Sequence, residues 1–450
     1  MLKWIFAVVI LVVVWAATIL FELPFWPAIL ITLLVILALV AVFVIRRFRA
    51  RRAARELEKA LAAQAAEQAR SARPDLQAEI QEMQNEFQKA ITALKGSKLQ
   101  KGGKNALYAL PWYVIIGPPG SGKSTALRNS GIQFPYQSQS GGSVRGVGGT
   151  RNCDWWLTNE AVLLDTAGRW STEDEDREEW QSFLDLTKKF RSRKPLNGML
   201  VAVSVGDLGG AHEDEVVALA KQIRDRVDEV MARLQMSLPV YLLFTKCDLV
   251  PGFVETFSDL DRNSRGQMWG FTAPLATSIG EPGGYFNQRF DELATVVETR
   301  ALRRMGEERR IESREKIHEF PQQFGVLKKN LGDFVSALFA ENVFQETPQF
   351  RGAYFTSGTQ EGRPIDRLMS RMAEAFGLQG RVAAPEHTVD PKSYFLRDVF
   401  AKVVFQDKDI AVRSAAEVRR QRIRQAITAA AIFFLALLIS TLPAYTWFKS

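Results

Sequence analysis

Eight consecutive residues, Gly117, Pro118, Pro119, Gly120, Ser121, Gly122, Lys123 and Ser124, fit the pattern G-x-x-x-x-G-K-[ST], and Thr125 comes directly after them. They follow an apolar run, Tyr113 to Ile116, and lead into a helix-forming run, which is the strand-loop-helix context that gives the pattern meaning. The chemistry accounts for each residue type. Glycines let backbone N–H groups close on phosphate oxygens, Lys123 supplies a point charge to the β and γ oxygens, and the Ser124 hydroxyl ligates Mg²⁺. The whole stretch is expected to bind the phosphates of a nucleoside triphosphate.

A second stretch, AVLLDTAGRW, narrows the branch of phosphate-loop chemistry. Ala161 to Leu164 is a buried strand, Asp165 stands at its end as a metal-holding carboxylate, and Gly168 completes D-x-x-G. An ATPase of the AAA type would carry Glu after the Asp, where this chain has Thr166. Upstream, the Gly-rich run ending at Thr150 reads as a mobile loop, with Thr150 completing the metal shell and a strand at Cys153–Leu157 after it. Lys123, Thr150, Asp165 and Gly168 are therefore the expected catalytic set, and Ser124, Thr150 and Asp165 the expected Mg²⁺ ligands. Arg169 stands where a Gln would orient the attacking water. Its guanidinium has no acceptor for the water's proton, which predicts slow intrinsic turnover.

Base recognition has its own candidates. The apolar strand PVYLLFTKCD, Pro239 to Asp248, ends in Thr245, Lys246 and Asp248. A carboxylate there can accept both guanine N1–H and N2–H₂, while Thr245 replaces the more usual Asn, so GTP and ATP both remain open. The final strand, Gly352 to Gly358, ends in Thr356-Ser357-Gly358, and Ser357 is placed in a base-stacking loop. The run STEDEDREEW is read as a solvated helix start capped by Ser171. His212, His318 and His387 have no partner at ligand spacing.

These residues need elements to hold them. Strands at 113–116, 153–157, 161–165, 199–207, 239–248 and 352–358 alternate with helical runs, predicting an α/β domain of Ras-like type over 107–360 with a mostly parallel sheet. A helical insertion is expected at about 260–350, and a helical extension at 361–425. Ahead of the body, Leu76, Ile80, Met83, Phe87, Ile91 and Leu94 recur at helical spacing and predict an amphipathic helix that ends near Gly96 and packs on the domain. It belongs to a flank, 46–106, that closes with the polar linker KGSKLQKGGK.

Charge and hydropathy place the domain. Residues 46–55 carry six arginines and 419–424 carry four, with no acid in either, so the rest of a chain of net charge +8 is slightly acidic. Basicity confined to the ends of apolar runs is a topology signal rather than a nucleic-acid footprint. Trp4 to Phe21, Leu23 to Ile45 and Ala426 to Phe448 lack charge and have the length of membrane spans. The first two are expected to form a hairpin over 1–45, and the third to fill 426–450. The arginine flanks put 46–425 in the cytoplasm, with Ser450 outside. The two cysteines, Cys153 and Cys247, read as reduced thiols.

Four segments, GPPGSGKST, GVGGTRNCDWWLTNEAVLLDTAGRW, TKCD and RGAYFTSGTQEGRPID, together resemble the amino-terminal part of the TssM (IcmF) family, large inner-membrane proteins of bacterial type VI secretion systems. The resemblance covers essentially the whole chain. It implies a membrane complex with a DotU-like inner-membrane partner (TssL), an outer-membrane lipoprotein (TssJ) reached through a periplasmic region outside this sequence, cytoplasmic baseplate components, and homo-oligomerisation. The expected function is an anchored nucleotide-binding scaffold that acts as a slow NTPase switch with Mg²⁺ and GTP or ATP. A purely structural anchor and an ATP-driven motor are the rival readings.

Overall fold

The computed structural model describes residues 74–96, 106–135, 153–172, 176–275, 279–342, 345–358 and 392–414, with four further positions between 418 and 426. The apolar runs at 4–21, 23–45 and 427–448 lie outside the described residues, as do Thr150 and His387. Among the described residues no helix is long and apolar enough to cross a membrane. The chain divides between Gln81 and Glu82 into two units. Of the first unit, only the opening turns of the Pro74–Gly96 helix are described.

The second unit is an α/β fold built on a seven-stranded mixed sheet. Its strands are β1 Trp112–Ile116, β2 Cys153–Leu157, β3 Val162–Thr166, β4 Gly198–Ser204, β6 Pro239–Thr245, β7 Gly270–Thr272 and β8 Gln349–Phe355, in the order β2-β3-β1-β4-β6-β8-β7. β5 Met236–Ser237 and β9 Val412–Arg413 form a separate two-stranded ladder. β1 runs parallel to β3 and β4, β4 to β6, and β6 to β8, whereas the edge strands β2 and β7 are antiparallel to their neighbours. The sequence dictates this division. β1, β3, β4 and β6 are buried along their whole length, and an uninterrupted apolar run suits a parallel strand covered on both faces.

One face is covered by helices Arg177–Phe190, Glu213–Leu234, Pro282–Glu307, Ile311–Val326 and Lys328–Leu338. Met83, Phe87, Ile91 and Leu94 join the same core, and the Phe87 ring lies 4.7 Å from Trp155 and 5.8 Å from Phe183. The opposite face is covered by Ala126 and Leu127 together with Leu396, Val399, Phe400 and Val404. Because five strands are parallel, the loops that follow β1, β3, β4, β6 and β8 share one edge. That carboxyl edge is where open α/β sheets place ligands.

Several boundaries differ from the sequence reading. β4 ends at Ser204 rather than Asp207, because the Ser204 hydroxyl accepts the Asp207 N–H and starts the short helix Val205–Gly209. β6 ends at Thr245 rather than Asp248, since Lys246 turns left-handed (φ +57°) into a 3₁₀ turn at Cys247–Leu249. β8 starts at Gln349 and ends at Phe355, before the Thr356–Gly358 loop. Inside the 260–350 insertion lies β7, whose three residues are too few to display a period. Of the 361–425 extension, residues 361–391 are outside the described set; in 392–414 residues 397–404 are helical, as a π-type turn over Val399–Val404, with β9 after it, and positions 418, 419 and 423 are helical.

Candidate functional site

The Gly117–Thr125 loop leaves β1 and closes into the helix Lys123–Arg128. Its start is sterically determined. Gly117 has φ +152°, and a Cβ there would lie 2.0 Å from the Ala202 carbonyl oxygen, so no side chain fits. Lys123 is only 6% exposed, and its Nζ folds back to donate to the carbonyls of Gly117 (2.7 Å) and Pro118 (3.1 Å). Burial pulls its pKa down to about 8, with the Asp165 charge opposing the shift. Above Gly120 the loop is open, with nothing within 4 Å of where a Cβ would stand. Ser121 is fully buried, and its Oγ has no hydrogen-bond partner among the described residues. This is a cradle of backbone donors with a buried cation, which suits an anion such as a phosphate chain.

β3 brings the second set. Asp165 is fully buried and in register with Ile115, two residues ahead of the loop. The chain then turns so that Gly168 lies against the phosphate loop; a Cβ on it would stand 2.5 Å from Pro119 Cα. Ser171 makes a contact that sequence reasoning missed. It is buried in the short helix Arg169–Thr172, and its Oγ accepts the Gly117 N–H (3.1 Å), so it does not cap the acidic helix, which starts after Asp176. Arg169 is turned aside: it donates to Asp176 (2.7 Å) and to the buried Glu179 (2.8 Å), and Trp170 Nε1 donates to the same Glu179 oxygen (3.0 Å). Thr150, assigned both metal and catalytic roles from sequence, lies outside the described residues.

The third set comes from β6 and β8. Thr245 is buried, with its hydroxyl on the Ser121 carbonyl and 3.3 Å from that of Val203. A threonine thus ties the end of β6 to the phosphate loop. Asp248 Oδ1 accepts from Ser357 Oγ (2.6 Å), the Cys247 N–H donates to the Thr356 carbonyl (3.1 Å), and Ser357 pairs through both backbone groups with Tyr394. Tyr394 had no signal in sequence. A Cβ on Gly358 would meet Thr125 Cγ2 at 3.0 Å, so this corner abuts the helix that starts in the phosphate loop. The structure therefore gathers Gly117–Thr125, Asp165, Gly168, Thr245–Asp248 and Ser357 at one edge.

Other candidates are structural. His212 starts the Glu213–Leu234 helix, where its backbone N–H donates to Glu215 (3.1 Å). Cys153 and Cys247 are free and buried, and burial pushes both thiols well above their ordinary pKa. Among the described residues no group of three His, Cys, Asp or Glu side chains is placed to hold a metal. Ser124, in the helix that leaves the loop, and Asp165, near the end of β3, are the oxygen-bearing side chains that these two elements bring to this edge.

Residues 173–432 match the family model of the IcmF-related N-terminal domain. Over 379 residues, 83% of this chain, the sequence is 42% identical to the type VI secretion system component TssM1 of Pseudomonas aeruginosa strain PAO1. The match covers 34% of that relative, so this chain spans about a third of its length. Among solved structures, the signal recognition particle receptor SRb-GTP/SRX complex from Chaetomium thermophilum aligns at 16% identity and TM-score 0.26, covering 59% of this chain and 98% of that one. An NFeoB variant from S. thermophilus bound to GDP aligns at 10% identity and TM-score 0.19, covering 49% and 98%. At such scores the structural likeness carries no argument of its own. The sequence matches do: the family model runs from before β4 to beyond β9 and takes in the helical insertion, and by it and the 42% identity this chain belongs to the IcmF-related (TssM) family of type VI secretion components.

Proposed function

We propose that this chain is the anchored, nucleotide-binding part of a type VI secretion membrane complex, in which a Ras-like phosphate-loop domain works as a slow NTPase switch. One observation carries the reading. Loops after β1, β3, β6 and β8 are tied into a single site by Thr245 on the Ser121 carbonyl, Ser357 on Asp248, and Gly168 against Pro119. Gly117 to Thr125 bind the phosphates, with Lys123 pairing the terminal ones; Thr245 and Lys246 shape the base pocket; Asp248 reads the base while Ser357 orients it. Ser124, Asp165 and Thr150 would hold Mg²⁺, which when bound would neutralise phosphate charge.

Slow turnover follows from the chain's own groups. Arg169 is engaged by two carboxylates and offers no acceptor to a water, so water positioning awaits a partner. The Gly168–Ser171 segment, which rests on the phosphate loop through Ser171, is then the element whose order reports the nucleotide. TssL, baseplate components and further copies of the chain are the proposed cytoplasmic and membrane partners, with TssJ bound by a periplasmic region beyond this sequence. The same engagement of Arg169 favours, as a second reading, a structural anchor that binds nucleotide without cleaving it. Single-turnover assays separate the two: a switch cleaves at the order of 10⁻⁴ s⁻¹ alone and faster with its partners. No cleavage in the assembled complex leaves the anchor, and a basal rate of about 1 s⁻¹ or more defeats both.

A further inference from the structure

At the amino-terminal ends of the parallel strands, opposite the site, residues far apart in sequence meet around the turn that precedes β4. Arg191 lies between the rings of Tyr108 and Trp112, 5.2 and 4.8 Å from their centroids, and donates to the Pro195 carbonyl (3.2 Å) and Asn197 Oδ1 (3.3 Å). This pins the segment that enters β1. From the same turn, Lys194 Nζ and Asn197 Nδ2 both donate to the Lys408 carbonyl (2.6 Å each), and Arg413 reaches the Arg193 carbonyl (3.4 Å). β9 pairs with β5, and the Ser414 N–H donates to the Gln235 carbonyl (3.0 Å). One turn therefore holds both the incoming and the outgoing chain.

This edge is basic. Arg193 and Lys408 are exposed, and Lys188, Lys194 and Arg413 are half-buried around them. Two carboxylates accompany them: Asp409 is 4.0 Å from Lys194, and Asp185 is taken by Arg233 (2.7 Å). Val412 adds an exposed apolar side chain. From Arg413 to the apolar run that starts at Ala426 only residues 414–425 intervene, and four of those are arginines. The tether is short. β1 then spans roughly 17 Å between this edge and Gly117.

We propose that this edge is a docking surface for the anionic headgroups of the bilayer, so that the nucleotide site on the opposite edge faces away from the membrane. The inference rests on reading residues 426–448 as a membrane span. A short tether brings the edge to the lipid surface, and the excess of basic side chains matches its negative potential, each adding about fivefold to the docking equilibrium. Partners that read the nucleotide then approach from the cytoplasm without competing with lipid.

The 450-residue chain, reconstituted in nanodiscs that contain a quencher on the lipid headgroups, tests this. A fluorophore is attached through Ser192→Cys at the basic edge or through Asp207→Cys, exposed after β4 at the other edge; the native cysteines are buried and stay unlabelled. In phosphatidylglycerol-containing discs the label at 192 should be quenched and the label at 207 should not. The pair Arg193→Gln and Lys408→Gln should shift docking about 25-fold, about fivefold per side chain, and phosphatidylcholine discs should release it as well. A chain that fails to float with the discs overturns the membrane-span reading, and this inference with it. A chain that floats but is unquenched at 192, or equally quenched in neutral discs and in the Gln pair, overturns the docking surface alone. An edge built for an acidic protein or a nucleic acid gives the unquenched result in every protein-free disc.

Discussion

Lys123→Met should move two quantities in opposite directions, which separates a ligand-binding lysine from a structural one. The ammonium is buried and its pKa sits at about 8, against 10.5 for an ordinary lysine. Each tenfold change in proton affinity carries about 1.36 kcal/mol, so holding the charge in the folded state costs roughly 3 kcal/mol at pH 7. A methionine that fills the same space removes this cost but takes the Lys123 donor from the carbonyls of Gly117 and Pro118, for a net gain of about 1–3 kcal/mol. The sign follows from linkage. Between pH 8 and 10.5 the unfolded chain keeps the lysine proton while the folded chain has lost it, so parent stability rises with pH across that window. The Met variant lacks that rise. Its nucleotide affinity should instead fall roughly 10- to 150-fold, since a charge-assisted contact is worth about 1.5–3 kcal/mol. Urea unfolding of nucleotide-free protein at pH 7 to 10, followed by tryptophan fluorescence, measures the first effect, and titration with a fluorescent nucleotide the second. A variant less stable than the parent at pH 7, or one that binds nucleotide as tightly, refutes the reasoning.

Asp248→Asn should narrow any preference for GTP over ATP, because it removes the paired acceptor and loosens the Ser357 contact; competition by the two nucleotides measures it, and equal competition in the parent excludes base reading by Asp248. Glu179→Ala should cost about 2–4 kcal/mol in urea unfolding, somewhat under the range for a fully buried pair because Arg169 keeps partial exposure, and a loss below about 1 kcal/mol means that the pair does not hold the segment. In a cysteine-free background, single cysteines near Gly102 and at Ser450 should differ in labelling by an impermeant thiol reagent added from the periplasmic side. Only the second should react, and reaction of the first overturns the predicted topology.

The geometry of the candidate site was legible in the sequence because a glycine-rich turn between a strand and a helix constrains the backbone within one short loop. Gly117 to Thr125 form a contiguous strand-loop-helix unit, and Asp165 and Gly168 follow their own buried strand at fixed spacing, so local pattern suffices. The central strands were legible for a similar reason. Burial on both faces leaves an unbroken apolar run, whereas β7, with three residues at an edge, has too few positions to betray itself. What the sequence alone determined, then, were the residues whose placement depends on their immediate neighbours along the chain. Tertiary structure decided the rest. That Thr245 ties β6 to the phosphate loop, that Ser171 accepts from Gly117, that Asp176 and Glu179 draw Arg169 aside, and that Tyr394 braces Ser357 are contacts between loops, set by the order in which parallel strands lie side by side. Hydrophobic periodicity specifies which face of a strand is buried and says nothing of which strand lies next to it, so the loops that share an edge emerge only when the sheet closes.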